Sequence, residues 1–244
     1  MEIGVYCTSI RPHLWGILHE SLSHNNIDFN LCIAGPCPPI EPLPGNVKYI
    51  QTNVKPPQCW FIAANNTKGD YVFWTSDDLT YSNNTLDNLA IEIDKKTQTI
   101  ISPIFAPIGN INGHRSFIVE WAYKREDRIS QFVKLDFPLP ISYLMRREDF
   151  NDIGIDKNFI GHYWDLDIVF EFVSRGGKTV IKEDVFCTET EGYTHLGALS
   201  VGIGDYQKIL DMWIDNDRIR TQRKVPIDPL IYNDTVLTVS QGPK

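Results

Sequence analysis

The chain has 244 residues, 42% hydrophobic and 11% aromatic, enough to bury a sizeable core and unlike a disordered or fibrous composition. Its formal charge of −8 argues against a nucleic-acid surface, because Lys and Arg are scattered apart from Arg218, Arg220, Arg223 and Lys224, which read as a solvated helix end. Cys7, Cys32, Cys37, Cys59 and Cys187 include no C-x-x-C pair, which disfavours a zinc knuckle or disulfide framework and points to a reducing, cytoplasmic setting.

The apolar run Ile3–Thr8 predicts a strand at once, with no basic region and long apolar stretch of a signal peptide before it. No later segment approaches the roughly 18 apolar residues that span a bilayer. After Arg11-Pro12, the spacing of Leu14, Ile17, Leu18, Ser21 and Leu22 predicts a helix, and Asp28–Ala34 a second strand that breaks at Gly35-Pro36. Strand, helix and strand in that order form the parallel crossover unit. Residues 35–46 carry five prolines and predict an extended surface loop. Val47–Gln51 reads as a third strand, and a helix after Pro56-Pro57 bears Trp60, Ala63 and Ala64 and is closed by Gly69.

A buried strand of Tyr71, Val72, Phe73 and Trp74 then delivers Asp77 and Asp78 at its C-terminal end. In open α/β sheets that edge is where ligands bind, and adjacent carboxylates there suit a hard cation carrying phosphate oxygens. The same pair could equally turn the chain and cap the next helix. Asn84–Lys95 is helical by spacing and Thr99–Ile104 β-rich, so the first hundred residues predict a doubly wound, mostly parallel sheet with helices on both faces. Beyond them, 116–123 and 131–143 predict mixed strands and loops framing a cleft. Asp149–Gly154 predicts a short helix, Asp165–Ser174 a longer one, and Lys178–Ile181 a last strand.

Three segments agree in order and spacing with one family. Gly69-Asp70-Tyr71-Val72 followed by Ser76-Asp77-Asp78, then Met145 through Gly154, then Trp164-Asp165-Leu166-Asp167 with Gly176-Gly177-Lys178 behind it, resemble the family 2 type glycosyltransferases of GT-A fold. The resemblance covers about residues 1–190. It implies a single α/β domain of Rossmann-like GT-A fold: a nucleotide-sugar and metal half over 1–110, an acceptor half over 111–190, and a flexible loop and tail over 191–244. It also implies a UDP-, GDP- or dTDP-linked sugar donor, Mn²⁺ or Mg²⁺, a glycan or other hydroxyl acceptor, and inversion at the anomeric carbon.

Residue by residue, the family's aspartate-any-aspartate motif falls on Ser76-Asp77-Asp78. Asp78 is then the expected metal ligand, while Asp77 contacts donor ribose or joins the metal shell through water. The expected general base falls on Asp165, with Asp167 as second candidate. The resemblance also puts His195 over the metal within a glycine-flanked loop, and imidazole suits Mn²⁺ better than Mg²⁺. Thr8, Ser9 and Arg11 close the first strand beside the nucleotide, with Arg11 either on phosphate or simply opening the helix. Two family features are replaced: the base-holding aspartate after the second strand by Gly35 or Pro36, and the Arg-Asn before the metal strand by Trp60-Phe61.

His162, Tyr163 and Trp164 are expected at the acceptor, the aromatic pair stacking on a sugar face, although Asp165 and Asp167 also suit a helix N-terminus on their own account. His114-Arg115 and Arg146-Arg147 are further phosphate or acceptor candidates. Two other readings stand beside this one. A non-catalytic carbohydrate-binding relative fits the missing carboxylate at Ser76, and a sugar nucleotidyltransferase is opposed by the lack of glycine in Thr8-Ser9-Ile10-Arg11-Pro12.

Overall fold

The computed structural model describes residues 1–94, 98–106, 118–124, 130–156, 158–161, 164–190, 205, 208–214 and 238–241. Its first strand, β1 (Glu2–Thr8), is apolar on both sides because sheet covers both its edges and helices both its faces. Ile3, Val5 and Cys7 join one core cluster and Tyr6 the other. β1 pairs in parallel with β2 (Asp28–Gly35) and β4 (Tyr71–Trp74), and β2 with β3 (Val47–Gln51).

Period two in β4 explains the two cores: Tyr71 and Phe73 enter the cluster that holds α1 (Trp15–Ser23) and α3 (Thr85–Asp94). Val72, with Trp74 packed behind it, enters the one that holds α2 (Pro56–Asn65), α4 (Arg147–Ile153) and α5 (Trp164–Ser174). Helices therefore cover both faces, as the alternation of elements predicts. α2 ends at Asn65, earlier than a closure at Gly69. Gly69 (φ 102°) instead lets the backbone pass the Glu2 carbonyl, which a Cβ there would meet at 2.1 Å.

The rest of the sheet is more mixed than expected. The remaining strands are β5 (Leu79–Tyr81), β6 (Thr99–Ala106), β9 (Tyr143–Arg146), β10 (Lys178–Glu189) and β11 (Thr238–Gln241), while β7 (Ile118–Lys124) and β8 (Ser130–Leu139) form a separate hairpin. The nine-stranded order is β11-β3-β2-β1-β4-β9-β6-β10-β5. Among the described residues it has four parallel pairings and four antiparallel ones, the latter joining β9 to both β4 and β6, β5 to β10 and β11 to β3. A parallel return needs a crossover, usually helical. Between β6 and β9 the described chain is the β7–β8 hairpin, and β9 comes back antiparallel. β10 runs far past Ile181 because a bulge between Lys182 and Phe186 restores its register with β6.

At the carboxyl edge, Ser9 N donates to Ala34 O at 3.1 Å, and the Gly35 carbonyl accepts from Tyr49 Oη at 2.7 Å and Thr52 N at 2.9 Å. A Cβ on Gly35 would stand 1.9 Å from the Ser9 carbonyl oxygen. Gly35→Ala should therefore push the ends of β1 and β2 apart and cost about 1–3 kcal/mol, the range for overpacking, read as a lower urea midpoint. Unchanged stability would show that the two strand ends are not in close contact.

Candidate functional site

β4 ends at Trp74, but the chain stays tied to β1 for one more residue, Thr75 N donating to Tyr6 O at 3.2 Å. It then reverses, with Leu79 N donating to Ser76 O at 3.3 Å, so Asp77 and Asp78 occupy the two central positions of a tight turn into β5. A buried hydroxyl chain fastens the turn from behind: Thr75 Oγ1 meets Tyr81 Oη at 2.5 Å, Tyr81 Oη meets Ser142 Oγ at 2.8 Å, and Ser142 Oγ donates to Trp74 O at 2.5 Å. From the far side Thr190 donates both its N, at 2.7 Å, and its Oγ1, at 3.0 Å, to Asp78 O. The carboxylates are thus held by β4, β5, the approach to β9 and the end of β10.

Ser9 and Arg11 come to meet them from the end of β1. Ser9 Oγ donates to Asp77 Oδ2 at 2.5 Å and accepts from Trp15 Nε1 at 2.5 Å and Arg11 N at 3.0 Å. Arg11 Nε reaches Asp77 Oδ2 at 3.3 Å, its Nη2 hydrogen-bonds Asp77 Oδ1, and the same Nη2 lies 2.9 Å from Asp78 Oδ2. Asp77 is 3% exposed and its two oxygens receive a forked, charge-assisted grip. Burial works against the charge on Arg11, but the hydrogen bond and charge of Asp77 and the charge of Asp78 prevail and raise its pKa. Arg11 opens the turn Pro12–Leu14 that leads into α1 with its backbone, while its side chain lies on the two carboxylates. Glu189, at the end of β10, has its pKa raised by burial and then by the charge of Asp78, with Arg11 opposing. It is an acidic neighbour of the turn that local sequence did not signal.

Among the described residues no group of three or more His, Cys, Asp or Glu is arranged to hold a metal. Mg²⁺-type ions, however, take only one or two protein carboxylates and draw other ligands from substrate phosphate and water. Asp78 offers a hard oxygen donor, and the group its Oδ2 faces is already a cation, the Arg11 guanidinium. The donor chemistry fits a divalent cation.

Asp165 and Asp167 both fall in the first turn of α5, where carboxylates are favoured by the helix dipole, but their surroundings differ. Asp165 is half-buried and its charge is felt by Tyr143, whose pKa is raised by burial first and Asp165 second. Asp167 is 1% exposed, and its Oδ1 accepts from Trp213 Nε1 at 2.9 Å, which ties the short π-helical segment Leu210–Ile214 to α5. Trp164, expected as a sugar platform, is 7% exposed and packs inward, its ring 4.3 Å from Trp60 and 5.9 Å from Trp74. The half-buried member of that cluster is Trp74, the last residue of β4. The alternation Tyr71/Phe73 against Val72/Trp74 carried that signal.

Asp205 was not singled out from sequence. Its buried carboxylate accepts from Ile160 N, at 2.8 Å, and Gly161 N, at 2.6 Å, holding the approach to α5. Arg147, by contrast, lies at the other end of β4. Its guanidinium donates to Gly69 O at 2.5 Å, Ala64 O at 3.1 Å and Thr67 Oγ1 at 3.0 Å, and Arg146 stacks on Tyr71 with 5.4 Å to the ring centre. Neither arginine reaches the carboxylate turn, because both belong to the opposite edge of the sheet. His162, Tyr163, His195 and His114-Arg115 lie outside the described residues. All five cysteines are free thiols, and no helix among the described residues is long and apolar enough to cross a membrane.

A cavity of about 240 Å³ opens between the start of α1 and the proline-rich loop, lined by His13, Trp15, Ile40, Leu43 and neighbouring residues. It adjoins the carboxylate turn through Trp15, which bonds to Ser9, but it does not contain the carboxylates. The chemistry of charged groups marks the turn, not this cavity, as the candidate site.

No protein-family model and no curated protein sequence matches the chain. Solved structures do. S. aureus TarS 1-349 superimposes with a TM-score of 0.55 at 15% identity over 76% of this chain and 60% of that one. The same protein in complex with UDP-GlcNAc gives 0.58 at 16% identity over 86% and 67%. GalNAc-T7 with UDP, GalNAc and Mn²⁺ gives 0.67 at 13% identity over 88% of this chain and 48% of that one. The chain thus spans from about half to two thirds of these neighbours' lengths. At such identities the likeness lies in the backbone, and it agrees with a mixed sheet flanked by helices. The fold is GT-A-like, the fold of these glycosyltransferase neighbours.

Proposed function

We propose that the chain is a metal-assisted, inverting glycosyltransferase that moves a sugar from a nucleotide-sugar donor to a hydroxyl acceptor. The observation that carries this reading is the turn at the carboxyl edge of β4, where Asp77 and Asp78 meet Ser9 and Arg11 within a GT-A-like sheet. Neighbours of that fold bind UDP, UDP-GlcNAc and Mn²⁺, which supports a uridine-linked donor and manganese as the first to test. Assignment to family 2 rests on the sequence motifs alone.

Asp78 is the residue that would hold the cation, with His195 as a second ligand, and Asp77 fixes Arg11 beside the diphosphate. Bound there, the cation would stabilise negative charge on the departing nucleoside diphosphate. Thr8, Ser9 and Gly35 form the floor under the nucleoside, and the absence of a side chain at Gly35 leaves the base without the family's usual carboxylate. Asp165 takes the acceptor proton as the acceptor oxygen bonds to the anomeric carbon and the carbon–oxygen bond to phosphate breaks. Attack from the side opposite the leaving group inverts the centre. Trp74, half-buried and close in sequence to the carboxylates, is an aromatic face that could meet the sugar ring, with His162 and Tyr163 leading into the helix that carries Asp165.

Calorimetric titration with UDP-, GDP- and dTDP-sugars, with and without Mn²⁺, tests the reading. Binding of one donor that strengthens with Mn²⁺ is expected. Absence of binding to every donor in both conditions would favour a carbohydrate-binding relative without catalysis.

A further inference from the structure

We infer that Arg11 is a resident counter-ion that competes with the divalent cation for Asp78, so that cation and nucleotide load together and the cation alone is held poorly. The inference rests on the donor-site reading above and concerns the order in which that site fills.

The two carboxylates are engaged unequally. Asp77 is gripped on both oxygens, by Ser9 Oγ and Arg11 Nε on Oδ2 and by Arg11 Nη2 on Oδ1, and Ser9 is itself held by Trp15 Nε1. Asp77 is therefore the anchor that fixes where the guanidinium sits. Asp78 receives the same Nη2 at 2.9 Å, its side chain 13% exposed against 4% for Asp77. Breaking the Arg11–Asp78 contact leaves the Asp77 fork intact, so Asp78 is the carboxylate that can change partners.

Charge decides when it does so. Two carboxylates and one guanidinium leave the turn with a single net negative charge, or two if the neighbouring Glu189 is counted. A divalent ion arriving alone would have to take Asp78 from Nη2, and would add its charge beside a guanidinium that Asp77 still holds in place. An arriving diphosphate removes both difficulties: its oxygens accept the N–H that Asp78 gives up, and its charge offsets the juxtaposed cations. Arg11 is thus a positioning residue for the diphosphate and a barrier to the bare cation.

The test is titration of free Mn²⁺ followed by its electron paramagnetic resonance signal, with and without UDP, on wild type, Arg11→Gln and Arg11→Lys, each first shown to melt cooperatively. Wild type is expected to bind Mn²⁺ at least about tenfold more tightly when UDP is present, and Arg11→Gln to bind Mn²⁺ alone at least about tenfold more tightly than wild type, with most of the UDP enhancement gone. Arg11→Lys, which keeps the charge but not the fork, should gain less than Arg11→Gln. Folded Arg11→Gln that binds Mn²⁺ alone no better than wild type, or an equal gain in both variants, overturns the inference. The nucleotide-free arm separates the two claims. Failure of wild type to bind UDP at any Mn²⁺ concentration sinks the donor reading, whereas the comparison of Mn²⁺ alone judges Arg11 by itself.

Discussion

Asp78→Asn is expected to abolish the Mn²⁺-dependent part of donor binding and to reduce sugar transfer by about 10²–10³-fold, the scale for removing one group aimed at charge that develops in the transition state. The substitution keeps the shape of the side chain and spares the backbone carbonyl that Thr190 holds at 2.7 Å, so the turn should survive. What it removes is the negative charge. The amide still accepts a hydrogen bond from Arg11, but it is a far poorer ligand for a hard cation than a carboxylate. Calorimetry with UDP-sugar at several Mn²⁺ concentrations reads the first effect and a product assay the second. A variant that still binds donor in proportion to Mn²⁺ would place the cation elsewhere, with Glu189 the next carboxylate to test.

Asp165→Asn should behave in the opposite way: donor affinity unchanged, transfer reduced by about 10²–10⁴-fold, the range for losing a general base. The argument is one of position. Asp165 is half-buried at the start of α5, and Trp164 beside it is locked into the aromatic cluster, which fixes the first turn of the helix. Asp167, two residues on, is 1% exposed and bonded to Trp213, so in this arrangement it serves to tie the 210–214 segment down. Measuring KM for the donor and kcat separately distinguishes the outcomes: a base acts on kcat, whereas a donor contact would raise KM. Wild-type turnover in Asp165→Asn would remove Asp165 from the base position.

Much of the site was legible as residue types and much less as contacts. Asp77 and Asp78 announced themselves because a four-residue apolar strand ends just before them, and strand ends at the carboxyl edge of an α/β sheet are where ligands gather. Arg11 was readable as a residue beside the nucleotide or at the opening of a helix, but not as the partner of Asp77. Its grip on Asp77 spans 66 residues of sequence, and nothing local marks the partner. Arg146 and Arg147 looked like similar candidates and lie at the wrong end of the sheet, since polarity along a strand is set by which strand pairs with it and in what direction. Trp164 illustrates the same limit for aromatic residues, where composition does not say that this ring packs against Trp60.

The sequence by itself determined the order of strands and helices from Ile3 to Trp74, the burial of β4, and the delivery of paired carboxylates beyond Trp74. These follow from periods of two and 3.6 residues, which are local and survive without knowledge of the fold. Only the tertiary structure decided that β9 enters antiparallel between β4 and β6, that β11 adds an edge beside β3, that Asp205 holds the approach to α5, and that one guanidinium bridges both carboxylates. Each of these joins segments tens of residues apart, and their pairing is chosen by which surfaces remain unburied once the local elements have formed, a competition that no single stretch of chain records.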